Sequence, residues 1–130
     1  MSCPLCNPKG ENVIIQNNLF RVVLVDEIPA FIRIILNKHL AEFTDLTKDE
    51  YQQITDEVYR IEKIMRETIN PDKINIASLG NYVPHLHIHI IPRWEKDSWF
   101  PDSIWSQKQR EYKYQVTENQ IKNLINEIKS

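Results

Sequence analysis

The sequence predicts an α+β fold: an antiparallel sheet of about five strands with one long central helix and a C-terminal helix packed on one face. Three observations predict it. Short runs rich in Val, Ile and Phe come in succession near the amino terminus; a long segment with apolar spacings of three and four follows; then strand patterns return before a last helical one. Strands and helices in this order do not alternate as a parallel βαβ sheet would.

From Asn12 to Leu36 the chain reads NVIIQNNLFRVVLVDEIPAFIRIIL, three β-prone runs broken at Asn17-Asn18 and at Asp26-Glu27-Ile28-Pro29. Asn, Asp and Pro favour turns at those breaks, so the runs read as an antiparallel meander. A Thr-Lys-Asp-Glu capping box opens a helix at Thr47, and Tyr51, Ile54, Val58, Ile61 and Met65 fall on one of its faces. The helix ends near Asn70, because Pro71 drives the residue before it out of helical geometry. INIASLG, Ile74 to Gly80, is the next strand, and VPHLHIHII from Val83 to Ile91 is a further one. Side chains alternate across a strand, so His85, His87 and His89 share one face while Leu86, Ile88 and Ile90 pack behind them. EYKYQV, Glu111 to Val116, is expected as one more strand. A second capping box at Thr117 to Gln120 then starts a helix with Ile121, Leu124, Ile125 and Ile128 inward.

At 130 residues the chain is expected to form a single domain over 1–130, with an aromatic C-terminal extension over 94–130. A formal charge of -2 gives no basic footprint, so nucleic acid is not an expected partner. No apolar run approaches the roughly 20 residues that span a bilayer, and the polar start MSCPLCNPKG has no secretory pattern. A cytoplasmic protein without a membrane partner is expected. With only two glycines, a phosphate-cradling loop of the Walker or dinucleotide-binding type is excluded.

Three of the four histidines stand at alternate positions, and their imidazoles would lie roughly 7 Å apart along the strand. Two chemistries use such a row. Neutral imidazoles can coordinate a transition metal in a metal-dependent hydrolase, or one imidazole can be a nucleophile while its neighbours donate protons and hydrogen bonds. The spacing alone does not separate them, although no acid interrupts the stretch to complete a catalytic metal shell.

The pattern resembles the histidine triad (HIT) family, whose motif is His-φ-His-φ-His-φ-φ with φ apolar. His85-Leu86-His87-Ile88-His89-Ile90-Ile91 fits it at every position. The resemblance runs from CPLC through LVDEIP, ILNKHL, the long helix and NIASLGNYVPHLHIHIIPR, roughly residues 3 to 100, and points to the branch that hydrolyses diadenosine tetraphosphate. It implies a homodimeric nucleotide hydrolase or transferase that cleaves at the α-phosphate of dinucleoside polyphosphates or nucleoside phosphoramidates. By this resemblance His87 is the nucleophile, forming a nucleotidyl-histidine intermediate that needs no cofactor. His89 lies beside the α-phosphate and the leaving oxygen, and His85 stands behind and fixes the site. Asp26 matches the acid that accepts both ribose hydroxyls, Asn75 is a candidate phosphate-side donor, and Asn81 stands where the family carries the glutamine that contacts the phosphate. Asn81 and Tyr82 depart from the family's usual Gln-Ser/Thr at this place, which keeps open a reading as a nucleotide-binding or interaction module with little turnover.

Cys3-Pro4-Leu5-Cys6 has spacing that lets two thiolates take adjacent corners of a tetrahedral zinc. The resemblance nominates His39 and His85 as the other two ligands, a closed structural set that leaves no position for water. Trp94, Trp99, Phe100 and Trp105 fall close together after the triad, too dense for simple exposure. They are expected to pack under a loop or against a second subunit, with a wall for a base or second nucleoside as the sharper role.

Overall fold

The structure, a computed structural model, describes residues 3–130. Five strands form one antiparallel sheet: β1 (Asn12–Gln16), β2 (Phe20–Val25), β3 (Phe31–Leu36), β4 (Lys73–Ala77) and β5 (His87–Arg93), in the order β1-β2-β3-β5-β4. Helix α1 (Lys48–Thr68) connects β3 to β4, and α2 (Glu118–Lys129) closes the chain. The expected α+β class is found, with the elements in the expected order apart from the strand expected at Glu111–Val116. No helix among the described residues is long and apolar enough to cross a membrane.

The meander forms because each apolar run is stopped by a turn. Asn17 accepts the backbone N–H of Leu19 and Phe20 on its side-chain oxygen, tightening the β1–β2 hairpin. Both expected capping boxes are present. Thr47 and Glu50 satisfy each other's backbone N–H at the start of α1, and Thr117 and Gln120 do so at the start of α2. Asn70 takes a left-handed conformation at φ 52° where α1 gives way to Pro71, a geometry asparagine tolerates better than most residues.

The sheet has two unlike faces. Towards the helices, Val22, Ile32, Ile34, Leu36, Ile88 and Ile90 pack with Ile54, Ile61 and Met65 of α1 and Leu124 and Ile128 of α2. Tyr51, expected on the buried stripe of α1, is exposed, while Glu57 is buried and held by Arg60 through two hydrogen bonds of 2.7 and 2.8 Å. A charged residue scores against burial in any apolar pattern, so its pairing was invisible in the sequence.

On the opposite face Ile28, Phe31, Ile91 and Ile104 make a second, smaller core, because the segment after β5 folds back across it. Arg93 and Asp97 hold that return. Their side chains are each 2% exposed and joined by bonds of 2.8 and 3.0 Å. Arg93 also donates to Asn75 Oδ1 and to the Asp102 carbonyl, while the Asp97 carboxylate accepts the N–H groups of Trp94, Trp99 and Phe100. Burial alone would raise the Asp97 pKa; the guanidinium and the N–H donors outweigh it and hold the carboxyl below its usual range.

Glu111–Val116 is not a strand, contrary to expectation. Tyr112, Tyr114 and Val116 do alternate inward, yet they pack on side chains: Tyr112 and Tyr114 against the Trp94 ring, Val116 against the helix-side core. A period of two reports extended backbone with one face covered and does not by itself report a ladder partner. The triad strand is also displaced, starting at His87 instead of Val83 and running on to Arg93, and β4 ends at Ala77 instead of Gly80.

Asp97→Ala removes the counter-charge and leaves the buried guanidinium with only the neutral acceptors of Asn75 and Asp102, which costs about 3–5 kcal/mol. Urea unfolding should show a loss of this size together with a red shift of tryptophan emission as the tail lifts; a loss below about 1 kcal/mol would contradict the clamp.

Candidate active site

β5 is hydrogen-bonded on both sides, with His87 opposite Ile35 and His89 opposite Arg33 of β3, and with His89 opposite Ala77 of β4. That double pairing fixes which face each histidine takes. His87 and His89 stand on the face away from the helices, their rings 5.0 Å apart and nearly perpendicular. With Leu79 to Val83 and Trp105 they line a cavity of about 350 Å³. Gly80 turns the loop over this cavity at φ +70°, a conformation that side-chain-bearing residues rarely adopt.

His85 belongs elsewhere. It precedes the regular strand and is fully buried, and neither of its ring nitrogens faces the cavity. Its Nε2–H donates to the Leu36 carbonyl at 2.6 Å, which leaves Nδ1 as a lone-pair atom. Its own carbonyl accepts from His87 Nδ1 at 2.5 Å. That bond puts the His87 proton on Nδ1 and leaves the Nε2 lone pair available. Burial lowers the His87 pKa below the ordinary imidazole value, with the charges of Arg33 and His85 adding to it, while the bond to the His85 carbonyl works the other way. His87 is therefore a neutral imidazole with an unshared electron pair.

The His89 ring sits among Phe31, His87 and Trp105, at centroid distances of 5.6, 5.0 and 4.9 Å. Burial first, then the charges of Arg33 and His87, lower its pKa to about 3. Arg33 Nε–H lies 3.4 Å from His89 Nδ1.

Cys3, Cys6, His39 and His85 converge at the other side of His85, their four ligand atoms within 4.8 Å of one another. Cys6 Sγ is 3.2 Å from His39 Nδ1 and 3.4 Å from His85 Nδ1; Cys3 Sγ is 3.5 Å from His85 Nδ1; the two Nδ1 atoms are 3.2 Å apart. Four ligands at zinc bond lengths of about 2.0–2.3 Å on a tetrahedron stand roughly 3.3–3.8 Å from one another. The donor set fits that ion in type and spacing, and the bond from His85 Nε2 to Leu36 is the outer support a metal-bound imidazole normally has. No other group of this kind is found among the described residues.

The remaining expected residues are dispersed. Asn81 lines the cavity, but its neighbour Tyr82 is fully exposed. Asp26 lies exposed just beyond β2, and Asn75 sits on β4 with its oxygen engaged by Arg93; neither lines the cavity. Trp105 does, at 48% exposure, so the aromatic tail covers its own sheet and contributes a wall. Sequence reasoning missed Arg33; an arginine in the middle of the otherwise apolar FIRIIL run was the available signal.

A family model described as HIT domain matches residues 8–96. The chain belongs to the HIT domain family. It is 30% identical over 89 residues to a bis(5'-adenosyl)-triphosphatase of Dictyostelium discoideum, covering 65% of this chain and 60% of that protein. It is 26% identical over 110 residues to an asymmetrical bis(5'-nucleosyl)-tetraphosphatase of Schizosaccharomyces pombe, covering 79% and 60%. This HIT chain thus spans about 60% of the length of the curated relatives it matches. A solved histidine triad protein of Bradyrhizobium japonicum superposes with a TM-score of 0.73 at 26% identity, covering 91% of this chain and 87% of the other.

Because His89 titrates at about 3 when folded and near 6.5 when unfolded, the unfolded chain binds more protons between those values. Its contribution to stability is complete above about pH 6.5 and is lost as the pH falls towards 3. Urea midpoints measured from pH 7.5 down to 4 should decline with acid, and His89→Asn should flatten that decline; an identical slope in the variant would count against a neutral buried His89.

Proposed function

We propose that this HIT protein is a nucleotide hydrolase or transferase that cleaves at the α-phosphate of dinucleoside polyphosphates, with His87 as the covalent nucleophile. The observation that carries the reading is the hydrogen bond from His87 Nδ1 to the His85 carbonyl, which leaves Nε2 unprotonated at the wall of the cavity. The names of the relatives, a triphosphatase and a tetraphosphatase of dinucleosides, support the substrate class.

In this reading the Nε2 lone pair attacks the α-phosphorus, and the bond from phosphorus to the bridging oxygen breaks with its electron pair leaving on that oxygen. The imidazole then carries a positive charge, which the His85 carbonyl stabilises through the Nδ1–H it already accepts. Water next adds its oxygen to phosphorus. The N–P bond breaks, its electron pair returns to Nε2, and the proton released by water passes to solvent. His89 donates a hydrogen bond on the phosphate side, and Asn81 offers its amide from the loop. We assign the ribose to the Asp26 carboxylate and a further phosphate contact to the Asn75 amide nitrogen, and read the active form as a homodimer. A triad-borne catalytic metal finds no support, because His85 turns its nitrogens away from His87 and His89.

Cys3, Cys6, His39 and His85 would hold a structural zinc, whose chemistry there is to join the amino-terminal hook to the strand that carries the nucleophile.

His87→Ala should lower turnover of diadenosine tetraphosphate by about four orders of magnitude while nucleotide affinity stays within a few fold. Turnover near the parent rate would end the assignment. Metal analysis of the purified protein should give one zinc per chain, and Cys6→Ser should lower both zinc content and Tm; full zinc retention in that variant would exclude the site.

A further inference from the structure

One cation stands where the proposed chemistry does not call for it. Arg33 lies at the middle of β3, directly across the ladder from His89, and is half-buried between Val23 of β2 and the histidine strand. Its guanidinium carbon lies 5.7 Å from the Phe31 ring centre, and it forms no ion pair among the described residues. The one side-chain hydrogen bond it makes among those residues runs from Nε–H to His89 Nδ1. Placing a cation without an ion-pair partner in such a setting costs free energy: burial works against its charge, and the more distant carboxylates of Glu27 and Glu11 offset that only in part.

The chemistry of the contact is directional. A guanidinium only donates, so His89 Nδ1 must accept, and the single proton of the neutral ring is then on Nε2. No partner for His89 Nε2 is found among the described residues, and no buried side-chain nitrogen or oxygen is left without one, so Nε2 reaches the surface of the cavity that His89 lines. A cation against Nδ1 also opposes a second proton on the ring, in line with the low pKa of His89.

We propose that Arg33 is a positioning residue: by donating Nε–H to His89 it holds that imidazole as the Nε2–H tautomer facing the cavity, and so fits the site to leaving groups that depart as anions. The inference rests on the hydrolase reading above and extends it to the class of leaving group. When the bond from phosphorus to the bridging oxygen breaks, the electron pair stays on that oxygen and the oxygen receives a hydrogen bond from Nε2–H, whose proton remains on His89. A polyphosphate leaves comfortably on those terms. An amine leaving from a phosphoramidate needs a proton of its own, which a neutral imidazole N–H does not readily surrender.

Two readouts test this in the full-length protein. With histidine labelled in nitrogen-15, long-range nitrogen–proton correlations at pH 7.5 should show His89 protonated on Nε2, and Arg33→Met should shift it towards a mixture with the Nδ1–H form. In steady-state assays the parent should prefer diadenosine tetraphosphate to adenosine 5'-phosphoramidate in kcat/KM, and R33M should narrow that preference by about tenfold, the scale of one charge-assisted hydrogen bond. Nδ1–H in the parent spectrum overturns the proposal even if R33M fails to fold. An equal fall on both substrates overturns it too, since that is what general damage to the site would do. If the parent turns over neither substrate, the hydrolase reading falls and the leaving-group inference falls with it. The tautomer then stands or falls on the spectra alone.

Discussion

Everything functional in this molecule depends on the alternation of side chains along β5 between two hydrogen-bonded neighbours. Ile88 and Ile90 enter the core beneath the helices, so His87 and His89 must face the other way. A slip of one residue would bury imidazoles among isoleucines and expose isoleucines on the cavity side, which is far too costly for the register to be loose. The same register brings Arg33 opposite His89 and Ile35 opposite His87, so the surroundings of each histidine are set by β3 as firmly as by its own strand.

His85 is the joint between this strand and the rest of the structure. Three of its polar groups point three ways: Nε2 to the Leu36 carbonyl, Nδ1 to the Cys3, Cys6 and His39 cluster, and the backbone oxygen to His87. The ring braces the amino-terminal hook against the sheet, while the carbonyl selects the tautomer of the nucleophile candidate. One residue therefore links the order of the amino terminus to the protonation pattern of the cavity. The two neutral imidazoles beyond it have opposite tautomers, His87 with its proton on Nδ1 and His89 with its proton on Nε2, and backbone in one case and a guanidinium in the other make the difference.

The segment after β5 completes the face that the strand opens. Arg93 ends the strand with its guanidinium in the sheet's second core, and Asp97 four residues later gathers three backbone N–H groups and turns the chain back. That return delivers Trp105 to the edge of His89 and covers Phe31 and Ile91 with Ile104. The aromatic cluster is thus absorbed within one chain, with Trp105 left half open at the cavity.

The order of strands and helices, both capping boxes and the apolar face of β5 were legible in the sequence, because each is set by interactions between residues a few positions apart. The pairing of Cys3-Pro4-Leu5-Cys6 with His39 and His85 was legible only through family resemblance, since spacing along the chain says nothing of which distant histidines arrive. Tertiary structure alone decided that His85 leaves the row, that Glu111–Val116 packs without a ladder, and that Arg33 serves His89. In each case the partner lies on another element: the Leu36 carbonyl, the Trp94 ring, or the strand across the ladder. A linear pattern records which side of an element is apolar; which group then waits on the polar side is settled only when the strands have paired.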